Sequence, residues 1–126
     1  MKRMAVSFCV LLFAGAPARA DERATVESID ILIAESFPVQ VFALLRGYVG
    51  DGCTKITSIT SRGPVGWTFH IEISTHRPPE AICTQVLMAF ERNVPLDAYG
   101  LAAGTYEVIS GGARASFTLT QDNRLQ

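Results

Sequence analysis

Short runs in which apolar and polar residues alternate are the feature of this chain that most limits its fold. In the clearest run, residues 67–74, one face carries Trp67, Phe69, Ile71 and Ile73. A period of two is typical of a strand with one buried face, whereas a helix repeats apolar residues every three or four positions. Turn residues separate this run from six others, at 28–33, 39–48, 56–61, 83–92, 106–108 and 113–119. The pattern therefore predicts about seven strands.

These strands in one domain predict an all-β, immunoglobulin-like antiparallel sandwich of two packed sheets. Residues 83–92 also fit a helical spacing, but we favour a strand with Val86, Met88 and Phe90 on one face. A bulge is expected within 56–61, turns at 61–64 and 110–112, and a fraying end from residue 121 onward.

Two details favour the immunoglobulin-like type. Trp67 lies between two cysteines, like the buried tryptophan beneath the intersheet disulfide of such domains, and Gly100 to Tyr106 is similar to a tyrosine corner. One detail opposes a true immunoglobulin domain, because the separation of Cys53 and Cys83 is too short to join the usual strands.

The first twenty residues have the three-part pattern of a secretory signal peptide. Lys2 and Arg3 precede an apolar run over residues 4–16, and small residues flank the bond after Ala20. The run is shorter than the roughly 20 residues that cross a bilayer as a helix, and no second run follows. We therefore expect a periplasmic or secreted protein with residues 1–20 removed, a single domain over 21–126 that begins at Asp21, and no transmembrane segment in the mature chain.

The charge balance argues against nucleic acid as a partner. Removal of residues 1–20 takes away three basic residues and no acid, which leaves 8 basic and 12 acidic residues and a formal charge of −4. Binding to phosphates requires a clustered basic face, which this composition does not favour.

The mature chain has two cysteines, Cys53 and Cys83, and we expect them to form a disulfide in an oxidising compartment. The alternative is a pair of free thiols in a metal or redox site. Such a site needs a C-x-x-C motif or histidine ligands close by, and neither spacing is present.

No catalytic, metal or cofactor motif stands out in the sequence. His70 and His76 are the two histidines, and alternation places them on the solvent face and at a strand end. The serines lack a G-x-S-x-G elbow, and the glycines at 47, 50 and 52 are not followed by the Lys-Ser/Thr of a phosphate loop. We expect no catalytic residue, no metal site and no cofactor.

Short motifs from about Val39 onward show a family resemblance. They are Asp51-Gly52-Cys53-Thr54, Arg77-Pro78, Ala81-Ile82-Cys83-Thr84, Phe90, Pro95-Leu96, Gly100-Leu101, Gly104-Thr105-Tyr106 and Phe117-Thr118-Leu119. With these motifs the chain resembles small bacterial exported proteins and lipoproteins that have an immunoglobulin-like domain of undefined activity. The resemblance implies the fold, export and the cysteine pair, and no catalytic residues. Unlike the lipoproteins, this chain lacks a cysteine placed for lipidation.

The leading functional hypothesis is a noncatalytic module that binds a protein or an envelope component. Loops at the ends of a sandwich commonly carry recognition. The candidate loops are 50–52, 62–66, 77–80 and 110–112, and the candidate binding residues are Arg62, Arg77, Glu80 and Arg114.

Two alternatives stay open. Chagasin-type protease inhibitors are small exported immunoglobulin-like domains whose loops include an Arg-Pro-aromatic and a glycine-rich element. Here Arg77-Pro78 is followed by Pro79, and Gly111-Gly112 comes after it rather than before, so the order departs from that family. The other alternative is a periplasmic metal-binding protein or enzyme, which would require His70 and His76 to converge.

Overall fold

The computed structural model describes residues 24–125, so the predicted signal peptide and the cleavage before Asp21 lie outside the described residues. The strands are β1 Ala24–Ile33, β2 Val41–Val49, β3 Lys55–Val65, β4 Thr68–His76, β5 Met88–Leu96, β6 Gly104–Ser110 and β7 Ala113–Leu119. The predicted all-β sandwich of about seven strands is confirmed. Within residues 24–125 no helix has the length and hydropathy needed to cross a bilayer.

The strands form two sheets with the orders β1-β2-β5 and β3-β4-β6-β7. Neighbouring strands are antiparallel except β4 and β6, which run parallel where residues 68–70 face residues 107–109. A constant-type immunoglobulin sandwich places its fourth strand beside the fifth. Here β4 instead lies between β3 and β6, which leaves β5 at the edge of the three-stranded sheet.

The core lies between the sheets, where alternate residues of each strand point inward. β2 buries Val41, Ala43, Leu45 and Val49, and β4 buries Phe69, Ile71 and Ile73. Of the outward residues of β2, Phe42, Leu44 and Tyr48 are half-buried as well, which fits its central position, and Arg46 is exposed. At Gly47 the backbone of β1 comes so close that an added Cβ would lie 1.9 Å from the carbonyl oxygen of Thr25, beside the β1 bulge. Only glycine fits there.

Several strand boundaries differ from the prediction, and two of these differences change the candidate loops. The turn predicted at 61–64 is part of β3, because Ser61 and Arg62 still pair with β4 and the chain reverses at residues 66–67. The expected bulge is present between Ile56 and Ser58. The strand predicted over 83–92 begins only at Met88, because residues 77–87 are needed to carry the chain from one sheet to the other.

The residues predicted to face the core from this region are also different. Val86 and Met88 are about half exposed, and the buried side chains of β5 are Val94 and Leu96. Phe90 is half-buried and packs against the core.

Trp67 is not the buried core residue that the sequence suggested. It lies at the β3–β4 turn, where one end of the sandwich covers only one side of the indole, and it is 53% exposed. The ring contacts the Tyr106 ring, with centroids 4.9 Å apart. The indole also lies over Gly104. A Cβ added at residue 104 would lie 2.5 Å from the indole, and the backbone φ of 151° is one that other residues rarely adopt, so both features require glycine. The disulfide lies at the other end of the molecule.

The tyrosine corner is confirmed. The Tyr106 hydroxyl donates a 2.7 Å hydrogen bond to the carbonyl oxygen of Ala102, and burial raises the pKa of this phenol. The end of the chain, which was expected to fray, is held by Asn123, whose side chain is 1% exposed. Its amide accepts from the Val39 amide at 2.7 Å and donates to the carbonyl oxygens of Val39 and Ala98 at 3.0 and 2.9 Å.

Candidate binding surface at the disulfide end

Three of the four candidate loops lie toward one end of the sandwich, because β2, β4 and β6 all run in that direction. We call this the disulfide end and define it by residues 50–54, 77–87 and 110–112. The β6–β7 turn is set back within it, since Ile109 lies beside His70 and β4 continues to His76. The fourth loop contains the β3–β4 turn and lies at the opposite end.

A disulfide ties two of these loops together. Cys53 and Cys83 are bonded with their Cα atoms 5.5 Å apart, which confirms the predicted pair. Next to it, the Gly52 amide donates a 3.0 Å hydrogen bond to the carbonyl oxygen of Thr84. The β2–β3 loop therefore holds the β4–β5 connection by one covalent bond and one backbone hydrogen bond.

Asp51 provides a second tie between the same loops. Its Oδ1 accepts hydrogen bonds from the Cys53 amide at 2.9 Å, the Thr54 amide at 2.8 Å and the Thr54 hydroxyl at 2.9 Å. Its Oδ2 accepts from Arg77 Nε at 2.7 Å. Burial of the carboxylate acts to raise its pKa, but the bonds from Thr54, Arg77 and the Cys53 amide outweigh it and lower the pKa of Asp51 to about 2. The carboxylate is therefore charged at neutral pH, and both of its oxygens accept hydrogen bonds from the protein itself.

These ties hold a segment that is apolar and exposed. Residues 81–89 carry no charge, and we call them the apolar segment. Ile82 is fully exposed, and Val86, Leu87 and Met88 are 50%, 61% and 48% exposed. Large apolar side chains normally avoid such exposure when they occur together, and clusters of them mark interaction sites.

The four predicted binding residues do not form one site. Arg77 is half-buried and engaged by Asp51, whereas Glu80 is exposed in the turn just before the apolar segment. Arg62 and Arg114 are strand residues rather than loop residues, and they pair with Glu72 and, at 3.7 Å, with Glu107. The role of these four residues in binding stays a prediction.

The histidines are far apart. His70 and His76 lie on the same strand, and six residues of extended chain separate them by about 20 Å. Among the described residues, Asp51, Cys53 and Cys83 form a group of potential metal ligands with atoms within 4.8 Å of one another. Both sulfur atoms are in the disulfide and both carboxylate oxygens accept protein hydrogen bonds, so this group fits a structural tie better than a metal site.

Sequence reasoning missed the two features that define this end. The pairing of Asp51 with Arg77 joins residues 26 positions apart, which no local pattern signals. The exposure of Ile82 did have a signal, namely an uncharged run that begins after Pro78-Pro79-Glu80 and shows no clean alternation.

The sequence profile of the ORF11 beta-sandwich domain matches residues 43–119, which is more than half of the chain. The chain belongs to this family. The ORF11 match includes Asp51, both bonded cysteines, Arg77 and the whole apolar segment. The disulfide end is therefore part of the ORF11 beta-sandwich domain itself.

Relatives from Herpetosiphon aurantiacus support the assignment. The chain is 32% identical over 84 residues to the "Uncharacterized 10.2 kDa protein in HgiCIIM 5'region". The aligned residues cover 67% of this chain and 87% of that protein. It is 35% identical over 74 residues to the "Uncharacterized 10.2 kDa protein in HgiBIM 5'region", and this alignment covers 59% of this chain and 88% of that protein. No solved structure matches the chain. These comparisons indicate an ORF11 β-sandwich of unknown function.

Proposed function

We propose that the protein is an exported, noncatalytic module that binds another protein or an envelope component through its disulfide end. The observation that carries the proposal is the apolar segment, which is exposed and yet held by a disulfide, a backbone hydrogen bond and the Asp51–Arg77 ion pair. Fixing a loop in one conformation lowers the entropy lost on binding, so a held and exposed apolar loop is suited to recognition.

Export is supported by two features of the chain. Residues 1–20 have the pattern of a signal peptide, and a disulfide between the two mature cysteines is typical of oxidising compartments. We expect the exported protein to begin at Asp21. Intact mass of the protein recovered from the periplasm or medium measures this, and a mass that includes residues before Ala18 would contradict it.

The proposed noncatalytic role is supported by the lack of a carboxylate pair in the clefts. Two open clefts of about 500 Å³ lie among the described residues, one at the β6–β7 turn and one at the opposite end. Each is lined by a single carboxylate, Glu72 or Asp97, and by no histidine or cysteine. A third cleft of about 430 Å³ is lined by His70 and by Glu72, which is again the single carboxylate and pairs with Arg62. General acid and base catalysis by a carboxylate pair needs two such groups in one cleft.

Site-specific photo-crosslinking in the native envelope tests the proposal. A photoreactive residue at Ile82 is expected to capture a discrete partner, and an excess of unmodified protein should compete with that capture. The matched control is the same residue at Val65, which is 73% exposed at the opposite end. Equal capture from both positions, or capture that unmodified protein does not reduce, would show that the disulfide end is not the binding surface.

A further inference from the structure

Ile82 lies between two fixed points of the backbone. Before it, the Ala81 amide donates to the carbonyl oxygen of Pro78 at 3.3 Å, which closes a turn. After it, Cys83 is bonded to Cys53. The side chain between these points is fully exposed. The chain therefore presents one fully exposed aliphatic side chain between two constrained points of the backbone.

We propose that residues 81–84 form an inhibitory loop that occupies the substrate cleft of a serine endopeptidase with an apolar primary pocket, and that Ile82 enters this pocket. The inference rests on the proposed function, since it names the class of partner that the disulfide end would bind. Complexes of endopeptidases with protein inhibitors depend on this kind of preformed loop, which changes little on binding.

The shape and charge of the loop favour such a cleft. A protruding side chain needs a concave partner, and an aliphatic one needs a pocket without a buried charge. The primary pocket of trypsin holds an aspartate, whereas those of chymotrypsin and elastase are apolar. Because residues 81–90 carry no charge, the loop brings no group that such a pocket would have to desolvate.

The backbone of the loop favours a protein partner over a lipid bilayer. Residues 81–87 lie outside the strands, so most of their peptide groups have no partner in a ladder. Bilayer hydrocarbon would leave these groups without hydrogen bonds. A protein cleft can pair with an extended segment through its main chain while pockets take alternate side chains.

The disulfide explains how such a loop could resist an endopeptidase. The bond at risk is the peptide bond between Ile82 and Cys83. Its hydrolysis would add one water, leaving a carboxylate on Ile82 and an amine on Cys83. The sulfur bond to Cys53 is not part of that reaction, so Cys83 would stay attached beside the cut. The leaving segment would remain in the cleft rather than diffuse away.

This loop differs from the element expected of chagasin-type inhibitors. Arg77 is already engaged within the protein, because its Nε lies 2.7 Å from Asp51 Oδ2. It is therefore less available to a partner than a free loop residue would be. The Gly111-Gly112 turn is set back along β4, beside Ile71 and Glu72. The exposed large apolar side chains of the disulfide end are those of the apolar segment.

A specificity switch tests the inference. The probes are trypsin, chymotrypsin and elastase with chromogenic substrates, and the inhibitors are the oxidised wild-type protein, Ile82→Arg and Val65→Arg. We expect wild type and Val65→Arg to inhibit an apolar-pocket enzyme but not trypsin. Ile82→Arg should lose that inhibition by about 30-fold or more, the effect of removing a binding hot spot, and should inhibit trypsin instead.

The inference is overturned if Ile82→Arg leaves trypsin fully active or is digested by it, or if it inhibits the apolar-pocket enzymes as well as wild type does. Both arginine variants change fully or largely exposed positions, and thermal melting verifies that they fold. The proposed function has a separate readout, since competed crosslinking from position 82 to a partner that is not an endopeptidase would keep the binding module and reject the inhibitor.

Discussion

Removal of the Cys53–Cys83 disulfide is expected to destabilise the fold strongly. The bond closes a loop of 30 residues, for which the chain-entropy relation gives about 3.6 kcal/mol at 25 °C. For a domain of this size each kcal/mol corresponds to about 4 °C in Tm, so Cys53→Ser with Cys83→Ser should lower the Tm by about 15 °C. Differential scanning calorimetry under non-reducing conditions measures the change. Both cysteines are replaced together so that no lone thiol remains.

The wild-type protein treated with a reductant is the matched control, and it should melt close to the double variant, which itself should not respond to the reductant. Hydrogen exchange adds a local readout. The Gly52 amide should exchange faster in the double variant than in wild type, because it loses the geometry that pairs it with the Thr84 carbonyl oxygen. A fall in Tm of less than about 5 °C would refute the entropic reasoning. Two titratable thiols per chain in unreduced, denatured wild type would refute the bond itself.

Three further predictions follow from single side chains. Asn123→Ala should destabilise the fold by about 3 kcal/mol in urea unfolding, because it leaves the buried backbone groups of Val39 and Ala98 without partners. A loss as small as that of a substitution at an exposed position would contradict this. Gly47→Ala should cost at least about 3 kcal/mol or prevent folding, since the new Cβ would lie 1.9 Å from the Thr25 oxygen; a normal melting curve would be incompatible with this packing. Asp51, whose pKa falls from 3.8 to about 2 on folding, should contribute stability that is complete above about pH 4 and lost as pH falls toward 2. Urea unfolding across this range should show a weaker acid dependence in Asp51→Asn than in wild type, and identical profiles would exclude the linkage.

Much of the fold was predictable because period-two alternation and turn chemistry are local properties. The alternating residues of 67–74 and 113–119 became β4 and β7, and the glycines at 111–112 became the turn between β6 and β7. Alternation failed at residues 83–87, where the apolar residues face solvent. A pattern of apolar residues cannot by itself distinguish a strand that packs on the core from an exposed connection between sheets.

The candidate site was predictable only in part. The cysteine pair followed from composition and compartment, because no other mature cysteine was available. Arg77 was singled out as a loop residue free to bind, but the structure shows a half-buried side chain that holds Asp51. Arg62 and Arg114 were placed beside turns, and both lie within strands. Arg77 differs because its partner lies 26 positions away, whereas Arg62 differs because β3 extends through the predicted turn, and Arg114 because β7 begins one residue before it.

The sequence by itself therefore determined the β class, the disulfide and the tyrosine corner of Tyr106, since each depends on residue type and short spacing. Only the tertiary structure decided that β4 pairs with β6, that Trp67 covers the end of the core, and that Asn123 anchors the last residues. It also decided that Ile82 is held in solvent. The physical reason is that burial and hydrogen-bond partners are set by contacts between distant segments, and these form only when both sheets have packed.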